Sequence, residues 1–305
     1  MLVAGPNLTL DRTSTVPELR PGTVLRVADV VVTPGGKGLN VARAARSLGA
    51  PAVLVAFLPG ETGRAAGGMI EAEGVALRGI DAPGEIRVTA VIREPGGRTT
   101  VINEPGPQLP DAAWAALEAM VERELSAHPV LVCSGSLPPG APADGYGRLV
   151  ERAHAAGRRA VVDANGPALD AAVRAGADVV TPNLAEAEGL ADEAVEAAPD
   201  ARERACAAAA ELVRRGARAA VVTAAAAGAA AAAGGGRPAW LPAPRVSVRN
   251  PIGAGDVLTA ALAAALERGA ELPAAAREAV AAAAASVETP TAGVLDPARM
   301  RELLR

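Results

Sequence analysis

Short β-branched runs alternate with alanine-rich amphipathic stretches along most of this chain, and that alternation constrains its fold more than any other feature. Residues 130–133, 160–163, 179–181 and 219–223 are apolar almost throughout. Helix-like stretches at 144–157, 167–176, 185–191 and 201–215 lie between or after them. Strands that are apolar on both faces and separated by helices belong in a parallel sheet covered on both sides. The apolar run 219–236 is rich in Ala and Gly, and Gly228 and Gly234 to Gly236 interrupt it, so it reads as strand, turn and second strand instead of a membrane span. Helices at 257–268 and 273–287 and a C-terminal turn at 297–304 complete the wrapping.

Two stretches leave this rhythm. Segments 8–33 and 84–104 read as strands without intervening helices, at 25–33, 87–93 and 99–103, with Gly96-Gly97 as a hairpin turn. They are expected to pair into a small sheet standing off the main one.

The bulk chemistry excludes several function classes. Two Trp, one Tyr and one Phe leave no aromatic platform for stacking nucleic-acid bases. The net charge of −4 is spread over interspersed charges of both signs, so no basic face is available for polyanions. Cys133 and Cys206 cannot form a disulfide framework and fit a reduced, cytoplasmic setting. The opening residues reach Pro6 and Asp11 without a basic leader, so no signal peptide is expected.

The strongest motif is Asn250-Pro251-Ile252-Gly253-Ala254-Gly255-Asp256, running into an apolar helix. Small residues let a ligand approach the backbone, and amides at a helix N-terminus suit a phosphate or developing negative charge. Asp256 is placed to accept a proton from a hydroxyl, although alone it reads equally well as an N-cap after a glycine turn. A second block, Pro34-Gly35-Gly36-Lys37-Gly38-Leu39-Asn40-Val41-Ala42-Arg43, lacks Walker A spacing, so a P-loop nucleotide hydrolase is not expected. It still offers amides, a cation and a side-chain amide to a polyhydroxylated ligand, phosphorylated or not.

Together these blocks resemble the two signatures of the PfkB (ribokinase-like) carbohydrate kinases, in order and at opposite ends of the chain. The resemblance spans essentially all 305 residues as a single kinase domain. It is strongest to the branch of 1-phosphofructokinases and tagatose-6-phosphate kinases. Asn7 to Thr13, Gly84 to Arg87, Ile102 to Pro107, Ser134 to Gly140 and Pro182 to Glu186 carry that likeness.

The resemblance implies an α/β ribokinase-like three-layer sandwich with a mostly parallel central sheet. Segments of about 8–33 and 84–104 would be a β-lid that closes over the sugar and serves as a homodimer surface. Asp256 matches the catalytic base, and Gly253, Ala254 and Gly255 match the anion hole for the transferring phosphoryl group. Asp11, Gly36, Lys37 and Asn40 match positions that hold sugar hydroxyls. Arg26, Lys37, Arg87 and Ser136 are candidates for a second phosphate on the sugar, with Asn103 nearby. Asn183 and Glu186 match the pair that organises Mg²⁺ and the nucleotide phosphates, Glu186 acting on the metal indirectly. Thr223 to Gly228 matches the ATP loop, and helix 280–287 would border the adenine.

This chain departs from the family pattern in four places. Thr181 stands where the branch commonly has Lys, and Ile86 replaces the Thr usually paired with Arg87. Ala225 takes the place of the inner glycine of the ATP loop, where a Cβ opposes a positive φ. Asn250 replaces an Asp that binds a monovalent cation in ribokinases, so that cation is left open. The expected reaction is ATP-dependent phosphorylation of fructose 1-phosphate to fructose 1,6-bisphosphate. The alternatives are tagatose 6-phosphate, fructose 6-phosphate, free fructose or a nucleoside as substrate, or a phosphosugar-binding protein without catalysis. No nucleic-acid or membrane partner is expected.

Overall fold

Successive residues at the N-terminus face opposite ways: Met1 and Val3 pack into one hydrophobic cluster, Leu2 and Ala4 into another. The same alternation recurs at Val130 and Val132 against Leu131 and Cys133, and at Val161 against Ala160 and Val162. A strand that feeds two cores must be covered on both faces. That is the arrangement seen in the computed structural model, which describes residues 1–190 and 200–305.

In chain order the strands are β1 (Leu2–Ala4), β2 (Thr9–Thr15), β3 (Val30–Gly35), β4 (Val53–Pro59), β5 (Ala76–Ala82), β6 (Arg87–Arg93), β7 (Thr99–Asn103), β8 (Val130–Ser134), β9 (Arg159–Asp163), β10 (Val179–Val180), β11 (Ala219–Thr223), β12 (Gly228–Ala233) and β13 (Ala239–Pro242). The helices are α1 (Lys37–Ser47), α2 (Gly60–Ala72), α3 (Asp111–Leu125), α4 (Gly145–Ala155), α5 (Gly166–Arg174), α6 (Leu184–Glu188), α7 (Ala201–Arg214), α8 (Ala254–Glu267), α9 (Leu272–Ser286) and α10 (Pro297–Leu303).

Among the described residues the main sheet runs β13-β12-β11-β10-β9-β8-β1-β4-β5. Its pairings are parallel from β5 through to β11 and antiparallel on either side of β12. Residues of α1, α8 and α9 pack into the cluster on one face, and those of α3, α4, α5 and α7 into the cluster on the other. The ribokinase-like three-layer reading is thereby met. The aromatics divide unevenly: Phe57, Trp114 and Tyr146 all lie in the second cluster. The first cluster is closed largely by alanines of α8 and α9, whose small side chains let the helices sit close to each other.

The off-rhythm strands form their own sheet, in order β3-β2-β6-β7. Each segment supplies one antiparallel pair, and β2 and β6 join the segments in parallel. The turn at Gly97 closes the β6–β7 hairpin, its amide donating to the Glu94 carbonyl at 2.9 Å. One boundary needs correction. The strand expected at 25–33 is β3, which begins only at Val30, because its pairing with β2 ends at Ser14 opposite Val30. Residues 25–29 have no strand opposite them and are exposed. The helix expected at 185–191 ends at Glu188, and position 191 lies outside the described residues. The helix expected from 257 starts three residues sooner, at Ala254, because Gly253 takes the N-cap with φ 83°.

Candidate active site

A cleft of about 1500 Å³ lies between the small sheet and the C-terminal ends of the parallel strands. Ligands of open α/β sheets bind at that end. Asp163, Thr181, Thr223 and Ser136 reach it from β9, the end of β10, β11 and the loop after β8, while Asp11, Arg87, Thr89 and Asn103 face it from the small sheet. The N-termini of α1 and α8 close the floor with Gly36, Lys37 and Asn40 on one side and Gly253 to Asp256 on the other.

Gly253 opens α8 in the left-handed region, and a Cβ there would stand 3.0 Å from the Gly293 amide nitrogen, so glycine is needed on both counts. The amides of the first turn have no carbonyl behind them within the helix and face the cleft. Asp256 follows, 4 % exposed, with Oδ2 accepting from Asn40 Nδ2 at 2.8 Å. Burial and the neighbouring Asp163 carboxylate push its pKa up to about 8, against the opposing pull of Lys37 and Asn40. Thr259, one turn on, donates back to the Gly255 carbonyl and meets the Thr181 hydroxyl at 2.8 Å, pinning the helix start to the end of β10.

Lys37 donates to Asp163 Oδ1 at 3.2 Å and to Glu186 Oε1 at 3.4 Å. Burial opposes its charge, but Asp163, Asp256 and Glu186 outweigh it and hold the ammonium above the ordinary lysine range. Glu186 is fixed from behind by a capping box: its Oε2 accepts from the Asn183 amide and Asn183 Oδ1 accepts from the Glu186 amide, both at 2.9 Å. Asn183 also bridges to Thr223, which brings the end of β11 alongside.

On the small sheet, Asp11 is the half-buried acid. Burial raises its pKa, countered by Arg43, Arg87 and the hydroxyls of Thr9 and Thr89. Its Oδ1 is buried without a hydrogen-bond partner. Gly35 has no side chain because the Asp11 carboxylate occupies that space. Arg87 is occupied locally: its guanidinium donates to the carbonyls of Asn7 at 2.9 Å, Glu104 at 3.2 Å and Leu8 at 3.3 Å. Asn103 Oδ1 accepts from the Thr89 hydroxyl, and Ser136 Oγ accepts from Asn7 Nδ2.

The sequence-derived candidates therefore converge, with two exceptions. Arg26 is exposed in the segment before β3 and does not line the cleft. Gly228 starts β12 and lies off the lining, although Thr223 at the other end of that loop is on it. Ala225 adopts φ 47°, so the loop keeps a positive φ despite its Cβ. Ile86 is a core residue, 6 % exposed and packed in the first cluster. Sequence reasoning missed Asp163, Arg43 and Thr259. The one readable signal was Asp163 closing an apolar strand, at the end where such sheets bind ligands.

Comparison with known proteins shows the family. The family model for the pfkB family of carbohydrate kinases matches residues 7–299. The chain is 31 % identical over 280 residues to the ATP-dependent 6-phosphofructokinase isozyme 2 of Escherichia coli K12, covering 91 % of this chain and 89 % of that protein. Structures of Escherichia coli phosphofructokinase-2 with potassium and with fructose-6-phosphate superpose with TM-scores of 0.91 and 0.89 at 28 % identity, covering 100 % of this chain and 97 % of theirs. A possible 1-phosphofructokinase of Thermotoga maritima shares the fold at 22 % identity, with a TM-score of 0.87 over 99 % of this chain and 96 % of that one.

Proposed function

The chain belongs to the pfkB family of carbohydrate kinases, and on that premise we propose that it phosphorylates a primary hydroxyl of a fructose monophosphate with ATP, fructose 1-phosphate being the first substrate, to give fructose 1,6-bisphosphate. The observation that carries this reading is the buried Asp256 carboxylate in the first turn of α8, facing the cleft and held by Asn40 at 2.8 Å. A second reading, fructose 6-phosphate as substrate, is favoured by the 31 % identical Escherichia coli enzyme.

In the reaction the sugar oxygen attacks the γ-phosphorus as the bond to the ADP oxygen breaks, and the hydroxyl proton passes to Asp256. Phosphoryl transfer needs alignment and charge neutralisation more than covalent help. The α8 amides of Gly253, Ala254 and Gly255 supply donors for the transferring group, and Lys37 supplies a fixed positive charge beside Asp163 and Asp256. Asp11 and Asn40 would orient sugar hydroxyls, and Ser136, Asn103 and the unused N–H groups of Arg87 would meet the sugar's own phosphate. Asn183, Glu186 and Thr223 would line the nucleotide phosphates. Glu186 offers a hard oxygen suited to a magnesium ion that keeps most of its waters and phosphate ligands; bound there, the ion would neutralise nucleotide charge. Asn250 donates to the Pro290 carbonyl and accepts from the Ile252 amide, both at 3.1 Å, and the potassium complex of the 28 % identical Escherichia coli phosphofructokinase-2 supports a monovalent cation as a cofactor.

The small sheet would act as a lid that excludes water from ATP. Its exposed Val30, Val31, Val32, Val101 and Ile102 support a homodimer through the same element. ADP release measured over a panel of fructose 1-phosphate, fructose 6-phosphate, tagatose 6-phosphate, fructose and a nucleoside tests the substrate class. The fastest turnover is expected with a fructose monophosphate. Preference for an unphosphorylated acceptor would overturn the assignment.

A further inference from the structure

Arg43 stands in the cleft wall with no part in the chemistry so far, yet its guanidinium is among the most heavily engaged groups there. Nε and Nη2 donate to both oxygens of Glu73 at 2.7 Å, and Nη2 also donates to the Pro34 carbonyl at 2.9 Å. The Arg43 side chain is only 11 % exposed, and Glu73 caps the C-terminus of α2. The group is thus clamped between α1, the end of α2 and the end of β3. From that fixed position Nη1 donates to Asn40 Oδ1 at 3.2 Å, one helical turn before it.

Asn40 is the residue whose Nδ2 donates to Asp256. A carboxamide has a donating and an accepting end, and which end points where is set by its surroundings. With Arg43 against the oxygen, turning the amide over would set its NH₂ against a guanidinium and its oxygen against the Asp256 carboxylate. With the Asp256 carboxyl ionised, as a base must be, both contacts would be repulsive. We propose that Arg43 is a positioning residue for the phosphoryl transfer: it fixes the Asn40 amide so that Asn40 always presents a donor to the base. The inference rests on the kinase reading for its consequence in turnover, but the orientation of the amide is a property of the protein alone.

Without Arg43 only one side of this lock remains. The Asn40 amide can then rotate, and Asp256 loses the donor that aims its carboxylate. Because the interaction passes through Asn40, the two residues must couple. A residue that merely supported the fold, or that touched the substrate independently, would not show that coupling.

Two measurements test this. The first follows the Asn40 side-chain NH₂ in ¹⁵N-labelled protein, its signals assigned by their loss in Asn40→Ser. Wild type should show a protected NH₂ pair, and Arg43→Met should speed its solvent exchange by roughly tenfold or more, since opening then breaks one contact instead of two. Arg43→Met with Glu73→Met removes the clamp without stranding the Glu73 charge and serves as the variant if the single change fails to fold. Unchanged exchange in a folded variant would overturn the proposal whatever the enzyme's activity. The second is a kinetic cycle with the best sugar phosphate. Arg43→Met should lower kcat by roughly ten- to a hundredfold with KM within about threefold, and in an Asn40→Ala background it should lower kcat by less than about twofold. Equal losses in both backgrounds, or a loss confined to KM, would overturn it. Absence of any sugar phosphorylation by wild type would instead contradict the kinase reading, leaving the exchange measurement to decide the positioning role.

Discussion

Asp256, the proposed base, lies in surroundings that work against its charge. Burial is the largest effect and Asp163 the next, both raising the pKa, while Lys37 and Asn40 pull it down without prevailing. A base must be ionised to take a proton, so kcat/KM should rise with pH through about 8 and then level. Asp163→Asn removes one raising influence and should move that limb to lower pH. A profile flat from acid to alkaline conditions would remove Asp256 from the titration. Stability follows the same shift with its own sign. A raised folded pKa stabilises fully below the unfolded carboxylate value of about 4, and that contribution is lost as pH rises through the folded value. Asp256→Asn should therefore gain in Tm relative to wild type across that window. At this scale the sequence showed what local grammar can show. Gly253, Lys37, Asn40 and Asp256 sit in contiguous blocks, whereas Asp163 is a lone charge at the end of a strand and Arg43 closes the second block as a plain helix charge. Such charges look like ordinary surface residues until the sheet order brings positions 163 and 256, or 43 and 73, together.

Among the elements, the start of α8 and the loop after β11 show opposite ways of meeting a backbone demand. The first uses glycine at φ 83°, and the second places Ala225 at φ 47°. A Cβ in the left-handed region costs about 1–2 kcal/mol. Glycine would return about 0.5–1 kcal/mol of that through the extra freedom of the unfolded chain. Ala225→Gly should accordingly stabilise the protein by about 0.5–1 kcal/mol in urea unfolding, with ATP use kept or improved. Destabilisation would mean that the alanine methyl makes a contact worth more than the strain. Strand and helix identities along 130–223 were legible because both the period and the flanking turns agreed. The start of β3 was not, because Val24, Leu25 and Val27 carry the same strand-favouring chemistry as the residues that pair. The pairing stops at Ser14 opposite Val30, although β2 itself runs on to Thr15 against β6.

For the whole molecule, the small sheet carries a concentration of exposed apolar side chains. Val31 is 59 % and Ile102 58 % exposed, with Val31 and Val101 on the cleft face of the sheet and Val30, Val32 and Ile102 on the other. Scattered apolar residues are normal on a surface, but a cluster on one element marks an interaction site. Sedimentation velocity should find wild type as a dimer, and Val31→Asp with Ile102→Asp as a monomer that keeps its fold. A wild-type protein monomeric at high concentration would contradict the shared-sheet reading. The sandwich itself was legible in outline, since alternating strands and helices permit few topologies. The partition of its two cores was not, because it depends on which side of the sheet each crossover helix falls.

The claim on which the account turns is that Asp256 takes the hydroxyl proton. Asp256→Asn keeps the shape and the hydrogen-bonding capacity of the side chain but cannot act as that base. The direct measurement is ADP release with fructose 1-phosphate and fructose 6-phosphate by wild type and Asp256→Asn, with sugar-phosphate binding followed separately by calorimetry. Turnover should fall by about two to four orders of magnitude while Kd changes by less than about threefold. Near-normal turnover in a folded Asp256→Asn protein would contradict it.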